Sequence, residues 1–408
     1  MRTPIRAVGA IAAATALVLA GCADDDEGSS SGTDEPIIIG GTLGLTGAYS
    51  GPSAAYKAAY DLWVEQVNAE GGLLGRQVEL RIYDDESNAT TAQQLFQRLI
   101  NDDEADLLLA PYTTAVGGAV VPLTERAEKI LWNAGFVSAE LHANSELLVT
   151  SWPYQEPEYP RPLFEYLKTL PEDERPTTLA VVTAQNPFTI VARDGYNGSG
   201  GVLNYAAELG MDVVYNEEYN QQATDLTALV QGAKDSGAEV FVGLSLPNDG
   251  ALMARTVEQV DYRPEYYCQC GSQVVTLPNW EDLGSAGMNV FSTTTSWPGM
   301  ADRPGLDELF AHFQQELGYD IMPAYGAGGY AILQVLQQAV EGAGTLDQQE
   351  LREYLANNTF ETAVGTLRYL DDGTTEFGAM LVQQQEDGAQ LVWPSEVATA
   401  EVVAPYRS

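Results

Sequence analysis

The segment from Asp106 to Ser138, DLLLAPYTTAVGGAVVPLTERAEKILWNAGFVS, decides the fold. Leu107-Leu108-Leu109-Ala110 is a short apolar run of the kind that a parallel strand buried on both faces requires. Pro111 ends it. Val116, Val120, Leu123 and Ala127 then recur at helical spacing as far as Lys129, and Ile130-Leu131-Trp132 reads as the next strand, broken by Gly135. Tyr112-Thr113-Thr114 falls between the carboxyl end of a strand and the amino end of a helix. First-turn N–H groups lack carbonyl partners and the helix dipole is positive there, so a hydroxyl pair at that place suits a small anion. Thr113 or Thr114 can cap the helix and still offer an oxygen; an ordinary N-cap fits the same pattern.

The same alternation extends in both directions. Upstream, Pro36-Ile37-Ile38-Ile39-Gly40 reads as a buried strand, Ser53 to Ala69 as a helix stopped by Gly71-Gly72, Val78 to Tyr83 as a second strand and Ala89 to Asn101 as a second helix. Leu147 to Trp152 is a further strand. Pro153, Pro157, Pro160 and Pro162 then mark a boundary. Beyond it the pattern restarts, with strands at Thr178–Thr183, Met211–Asn216, Glu239–Ser245 and Glu265–Gln269. Helices are expected within Gly195–Gly210 and at Asp225–Ser236 and Gly250–Val260. A strand-like Val290 to Thr294 precedes helices near Leu306–Leu317, Ala324–Glu341 and Gln348–Asn357. Thr366 to Tyr369 and a closing hairpin, Met380–Gln384 with Gln390–Trp393, complete the chain. Two doubly wound parallel α/β lobes follow from this alternation and from the length of 408 residues.

Residues 1–21 do not belong to that fold. Arg2 and Arg6 precede the apolar, Ala-rich run Ala7–Ala20, too short to span a bilayer and suited to a secretory leader. The run closes on Leu19-Ala20-Gly21-Cys22, which resembles the bacterial lipobox; the resemblance implies cleavage before Cys22 and lipidation of that residue. Residues 22–36 then form a lipid-anchored tether, acidic and Gly/Ser-rich, too polar to pack. No other stretch is long and apolar enough to span a membrane.

The chain carries 58 acidic and 19 basic residues, net −39, or −41 once Arg2 and Arg6 leave with the leader. Such a surface repels nucleic acid and anionic lipid, and it suits an exposed body in a salty medium. Gly41 to Gly47 follows a strand but lacks G-x-G-x-x-G spacing, so no nucleotide cofactor is expected. Two histidines, His142 and His312, and no G-x-S-x-G leave nucleophilic hydrolysis without a base; no catalytic residue and no metal site is expected. Cys268 and Cys270, one residue apart, are expected as two buried, inert thiols rather than a strained disulfide.

Together these pieces resemble the type I periplasmic binding proteins of the leucine/isoleucine/valine-binding group, which serve ABC importers. Gly44-Leu45-Thr46-Gly47 with Asn68-Ala69-Glu70-Gly71-Gly72-Leu73-Leu74-Gly75-Arg76 carries the resemblance most specifically. Tyr83-Asp84-Asp85, Pro111-Tyr112-Thr113-Thr114, Asn186-Pro187-Phe188, Tyr325 to Ala339 and Val364 to Gly373 follow in the family's order, with Ala110 where glycine is usual. The resemblance implies two lobes joined by a three-stranded hinge with crossings near Ser151–Pro153, Ser292–Thr295 and Thr366–Tyr369. Lobe 1 is then 37–151 and 296–365, and lobe 2 is 152–295 and 366–408. It implies a ligand cleft lined by Tyr112, Thr113, Thr114, Phe136, Val137 and Ser138 from lobe 1 and by Phe188 and Ser245 from lobe 2. The acid that would hold an amino group is missing from Cys270-Gly271-Ser272-Gln273, so an amide, an aromatic acid or a differently held amino acid fits as well. The expected protein is an extracytoplasmic, lipid-anchored monomer that captures a small molecule for ABC permeases; a ligand sensor of the same fold is the alternative, and neighbouring permease and ATPase genes would separate the two. Replacing Cys22 with serine should block lipidation; membrane fractionation that finds the unsubstituted protein soluble and unlipidated overturns this expectation.

Overall fold

The computed structural model describes residues 35–406, except 222, 272, 278, 279, 301, 302, 320 and 321. The expected leader, Cys22 and nearly all of the tether lie outside the described residues. The first sheet is built from β1 (Ile37–Leu43), α1 (Ser50–Ala69), β2 (Val78–Asp84), α2 (Ala89–Asn101), β3 (Leu107–Leu109), α3 (Thr114–Arg126), β4 (Leu131–Asn133), the short α4 (Ala139–Ala143) and β5 (Leu148–Thr150). Its strands run in the order β2-β1-β3-β4-β5, all parallel. The second unit comprises α5 (Arg161–Thr169), β6 (Thr178–Ala184), α6 (Pro187–Asp194), α7 (Gly201–Glu208), β7 (Asp212–Tyr219), α8 (Thr227–Asp235), β8 (Val240–Leu244), α9 (Pro247–Gln259), β9 (Tyr266–Gln269) and β10 (Phe291–Thr294). The chain then forms α10 (Leu306–Leu317), α11 (Ala324–Ala343), α12 (Gln348–Asn357), the hairpin β11 (Thr359–Thr362) with β12 (Gly365–Arg368), and the antiparallel pair β13 (Met380–Gln385) and β14 (Gly388–Trp393). The second sheet has the order β14-β13-β10-β9-β8-β6-β7; β13 and β14 run against the parallel strands.

Both sheets are covered on both faces, as side-chain alternation demands. Leu107 and Leu109 enter one apolar cluster and Leu108 the cluster on the opposite face. In the second sheet Leu179 and Val181 pack to one side, and Ala180 and Val182 to the other. The helix α11 lies along α1 in the first cluster, its small residues Gly328 and Gly329 seated against the rings of Trp152 and Tyr56.

Three passages connect the lobes. The first, after β5, is tied into the third: Thr375 Oγ1 donates to the Trp152 carbonyl at 3.0 Å and the Gly378 N–H to the Pro153 carbonyl at 2.8 Å. Thr293 Oγ1 in the second donates to the Tyr159 carbonyl at 3.0 Å. The third passage falls later than Thr366–Tyr369. Residues Thr366–Arg368 belong to β12, which pairs with β11, and Leu367 and Tyr369 pack in the first lobe's cluster. The chain crosses between Tyr369 and Met380, because the hairpin buries its apolar face on α11 first.

One further expectation is corrected. Cys268 and Cys270 form a disulfide with Cα atoms 5.3 Å apart, inside the range a disulfide tolerates; residues two apart on a strand project to one face, and the strand end brings them together. The Gly41–Gly47 stretch is closed by acids: Thr42 Oγ1 donates to Asp85 at 2.8 Å, and the Thr46 N–H and hydroxyl both donate to Asp84. The pair Asp84-Asp85 is therefore a structural clasp.

The first passage also caps α4. Glu156, 1% exposed, accepts the Ala139 N–H through Oε2 at 2.6 Å. Burial pushes its carboxyl up to about 7. A carboxyl whose folded pKa exceeds its unfolded value binds its proton more tightly in the folded state, so stability falls as pH rises between about 4.5 and 7 and stays reduced above. Glu156→Gln keeps the acceptor without the charge. It should leave thermal stability unchanged at pH 4 and raise it at pH 8, by up to roughly 3 kcal/mol; equal effects at both pH values in melts would refute this.

Candidate functional site

Each lobe has one place where successive strands depart to opposite sides of the sheet. In the first, β1 is flanked by β2 and β3; in the second, β6 is flanked by β7 and β8. Crevices outside the carboxyl ends of strands at such points accept ligands in open α/β sheets. The segments after β3 and β4 and those after β6, β8 and β9 converge on one cleft.

From the first lobe, Tyr112, Thr113 and Thr114 after β3 and Phe136 and Val137 after β4 line it. Their positions follow from local chemistry. Gly135 passes so close to Pro111 that a Cβ would stand 2.0 Å from the Pro111 carbonyl oxygen, which holds the two loops together. Thr114 Oγ1 donates to the Val137 carbonyl at 2.9 Å, so this hydroxyl braces the two loops. Thr113 is different. It precedes α3 with φ 108° and ψ 165°, a region that L residues with branched side chains avoid. Its Oγ1 caps nothing and has no partner, although the residue is only 6% exposed.

Ser138 does not line the cleft. Its Oγ caps α4 by accepting the Leu141 N–H, and its own N–H donates to Gln155 Oε1 at 2.9 Å. Ser245 is likewise turned away; its hydroxyl donates to Gln269 Oε1 at 2.8 Å, fully buried. Leu246 takes the lining position beside it. Phe188 does line the cleft, presented by an N-cap: Asn186 Oδ1 accepts the Phe188 N–H at 3.0 Å, and Pro187 starts the helix.

Sequence reasoning missed the largest contributors. Trp152, Tyr154 and Tyr159 come from the first passage, Tyr56 from α1, Tyr325 from the start of α11, and Gly271 with Gln273 from the segment after β9. The clustering of Trp152, Tyr154 and Tyr159 among prolines at the lobe boundary was the available signal. Gln273 occupies the segment in which an acid was sought; its Nε2 donates to the Tyr154 hydroxyl at 2.7 Å and its Oε1 is buried without a partner.

No lining residue bears a charge. Burial raises the hydroxyl pKa of Tyr56, Tyr112, Tyr154, Tyr159 and Tyr325, so all five stay neutral. The nearby carboxylate is Asp249, at the mouth with Tyr112 and Leu246, where burial pushes it up to about 6 and the Tyr219 hydroxyl donates to it at 3.4 Å. The lobes meet there: Asn248 Nδ2 donates to the Ala48 carbonyl at 3.3 Å. Among the described residues no group of three His, Cys, Asp or Glu is placed to hold a metal, and no helix is long and apolar enough to cross a membrane.

Two α/β lobes with a neutral cleft at their facing strand ends define a small-molecule-binding architecture. Residues 36–389 match the periplasmic binding protein family model, and the chain belongs to that family of extracytoplasmic solute-binding proteins. Leu/Ile/Val-binding protein homolog 7 of Brucella abortus is 22% identical over 387 residues, covering 89% of this chain and 94% of its own. The branched-chain amino acid transporter substrate binding protein LivJ of Streptococcus pneumoniae, in complex with isoleucine, superposes with a TM-score of 0.74 at 16% identity, over 91% of this chain and 100% of its own. A solute binding protein of an ABC transporter from Rhodopseudomonas palustris, in complex with 3,4-dihydroxy benzoic acid, gives a TM-score of 0.74 at 14% identity, over 91% and 98%.

The backbone at Thr113 supplies a test. Thr113→Gly removes a strain of about 1–3 kcal/mol while adding unfolded-state freedom of about 0.5–1 kcal/mol. Urea unfolding should find the variant as stable as the parent or about 1 kcal/mol more so; a loss above 1 kcal/mol would mean the conformation is not strained.

Proposed function

We propose that this protein is the solute-binding component of an ABC importer, held at the outer face of the cell membrane by lipid on Cys22, acting as a monomer and closing its lobes around a small carboxylate or amide. The lobes are taken as 37–151 with 296 to about 369, and 152–295 with about 379 to 406. The carrying observation is Thr113: a strained, buried threonine at the amino end of α3 whose hydroxyl has no partner inside the protein. An unsatisfied buried hydroxyl costs stability, and a ligand acceptor removes that cost. Within the first turn of α3 the Val116 N–H donates to the Thr113 carbonyl, and helix geometry leaves the N–H groups of Thr114 and Ala115 for the same acceptor. The named ligands of the two solved relatives, isoleucine and 3,4-dihydroxy benzoic acid, share only a carboxylate, which agrees with an anion held there. The second lobe would supply Phe188, Leu246 and Gln273, and closure would swing about the three passages.

A thermal-shift screen of amino acids, amides and aromatic acids, followed by calorimetry, tests the reading. Thr113→Ala and Phe188→Ala should each weaken the ligand found by about ten- to a hundredfold, with folding intact. A tight ligand indifferent to both substitutions would place the site elsewhere.

A further inference from the structure

The cleft wall deepens the solute-capture reading, on which this inference rests. Eight aromatic rings line the space. Most of their polar ends are engaged within the protein. Tyr56 OH and Trp152 Nε1 both donate to the Ala134 carbonyl. The hydroxyls of Tyr112 and Tyr325 lie 3.4 Å apart, and that of Tyr154 accepts from Gln273. With those ends occupied, carbon surface and π-electrons dominate what the wall offers a ligand.

Trp152 and Tyr154 meet at 40° and Tyr56 and Tyr112 at 46°, but three other pairs are close to perpendicular. Tyr154 and Tyr159 stand at 79°, Tyr159 and Phe188 at 87°, and Tyr112 and Tyr325 at 82°, with centroids 5.2–5.6 Å apart. Perpendicular walls make the corner of a box. A flat aromatic acid is better served by a slot between parallel rings, whereas a box suits a rounded group.

Charge narrows the choice. A primary ammonium brings three N–H donors and a tightly held water shell. Against them the lining sets no carboxylate, and its buried side-chain polar atoms without a partner are Gln273 Oε1 and the hydroxyls of Tyr159 and Thr113. Burying such an ion with so little compensation is costly. A quaternary ammonium has no N–H to satisfy, and aromatic faces attract it without any acid. The opposite pole of the ligand has its own place: Thr113 Oγ1, unpartnered and 94% buried, at the amino end of the 13-residue α3. A ligand with both poles is neutral overall, so the net charge of −39 does not oppose its approach.

We propose that the solute is a zwitterion with a carboxylate at one end and a methylated, quaternary ammonium at the other. The carboxylate binds at Thr113 and the first turn of α3, and the ammonium fills the corner formed by Tyr154, Tyr159 and Phe188.

Calorimetry on the purified full-length protein tests this with trimethylglycine, 3,3-dimethylbutanoate, glycine, leucine and 4-hydroxybenzoate. The first two have the same shape and differ by the charge on the quaternary atom. Trimethylglycine should bind tighter than 3,3-dimethylbutanoate by about tenfold or more, and tighter than the other three. Phe188→Leu and Tyr154→Leu should bring the two isosteres to within about threefold of each other, while Tyr154→Phe, which keeps the ring, should preserve the gap. Near-ultraviolet circular dichroism of each variant identifies any that fails to fold. Equal binding of the two isosteres overturns the proposal. So does tighter binding of leucine or 4-hydroxybenzoate; if Thr113→Ala weakens that binding, solute capture in this cleft stands and only the quaternary class falls. If none of the probes binds at millimolar concentration, the inference falls, and a hit from the wider screen decides whether the capture reading falls with it.

Discussion

One carbonyl oxygen organises the cleft. Ala134, at the end of β4, accepts hydrogen bonds from both the Tyr56 hydroxyl and the Trp152 indole N–H. Those donors come from α1 and from the first passage between the lobes. The carbonyl therefore fixes a helix, a strand end and a hinge segment to one another, and it sets two of the rings in the wall. The helix α11 can close over this point because Gly328 and Gly329 leave room for the Trp152 and Tyr56 rings; a Cβ at either would stand 2.8 Å from them. The aromatic wall rests on that buried node: two polar side-chain ends, which would be expensive to bury alone, are satisfied by a single acceptor with two lone pairs.

The contrast between surface and cleft follows from where charge can be solvated. The acidic surface remains in water and salt, which screens its self-repulsion. The cleft is lined by strand ends and hinge residues that pack against each lobe's apolar core, and a charge there would need a partner. The disulfide Cys268–Cys270 ends β9 just before Gly271, where a Cβ would stand 2.1 Å from the Ser245 backbone nitrogen. This brings the segment carrying Gln273 down onto β8, so the second lobe offers the cleft a neutral amide from a short, braced loop.

Much of the fold was legible because apolar runs such as Leu107-Leu108-Leu109 and the helical spacing around them are local signals. The hydroxyl turn at Thr113-Thr114 was legible for the same reason. Three features were not. Ser138 reads as a ligand hydroxyl until its Oγ is seen to accept the Leu141 N–H while its backbone N–H is held by Gln155, 17 positions away. Tyr56, Tyr154, Tyr159 and Tyr325 meet only through tertiary packing, and no spacing in the chain relates them. The third passage was placed too early because the pattern at Thr366–Tyr369 resembles a crossover, while its pairing with β11 and the burial of Leu367 and Tyr369 in the first lobe's apolar cluster make it a hairpin.

Thr113 is where these threads join. The tyrosine and tryptophan ends around it are mostly satisfied, and Thr114 beside it is bonded to Val137. A strained backbone and an empty hydroxyl persist only where the surroundings over-determine them. Here Pro111 and Gly135 in close contact on one side and α3 on the other leave the chain no relaxed path. The same rigidity that imposes the strain holds the hydroxyl still, so a ligand oxygen placed there gains a hydrogen bond without first ordering the group that donates it. On the proposed reading, closure would add the second lobe to a first lobe already set, and Phe188, Leu246 and Gln273 are the lining residues that would move with that lobe.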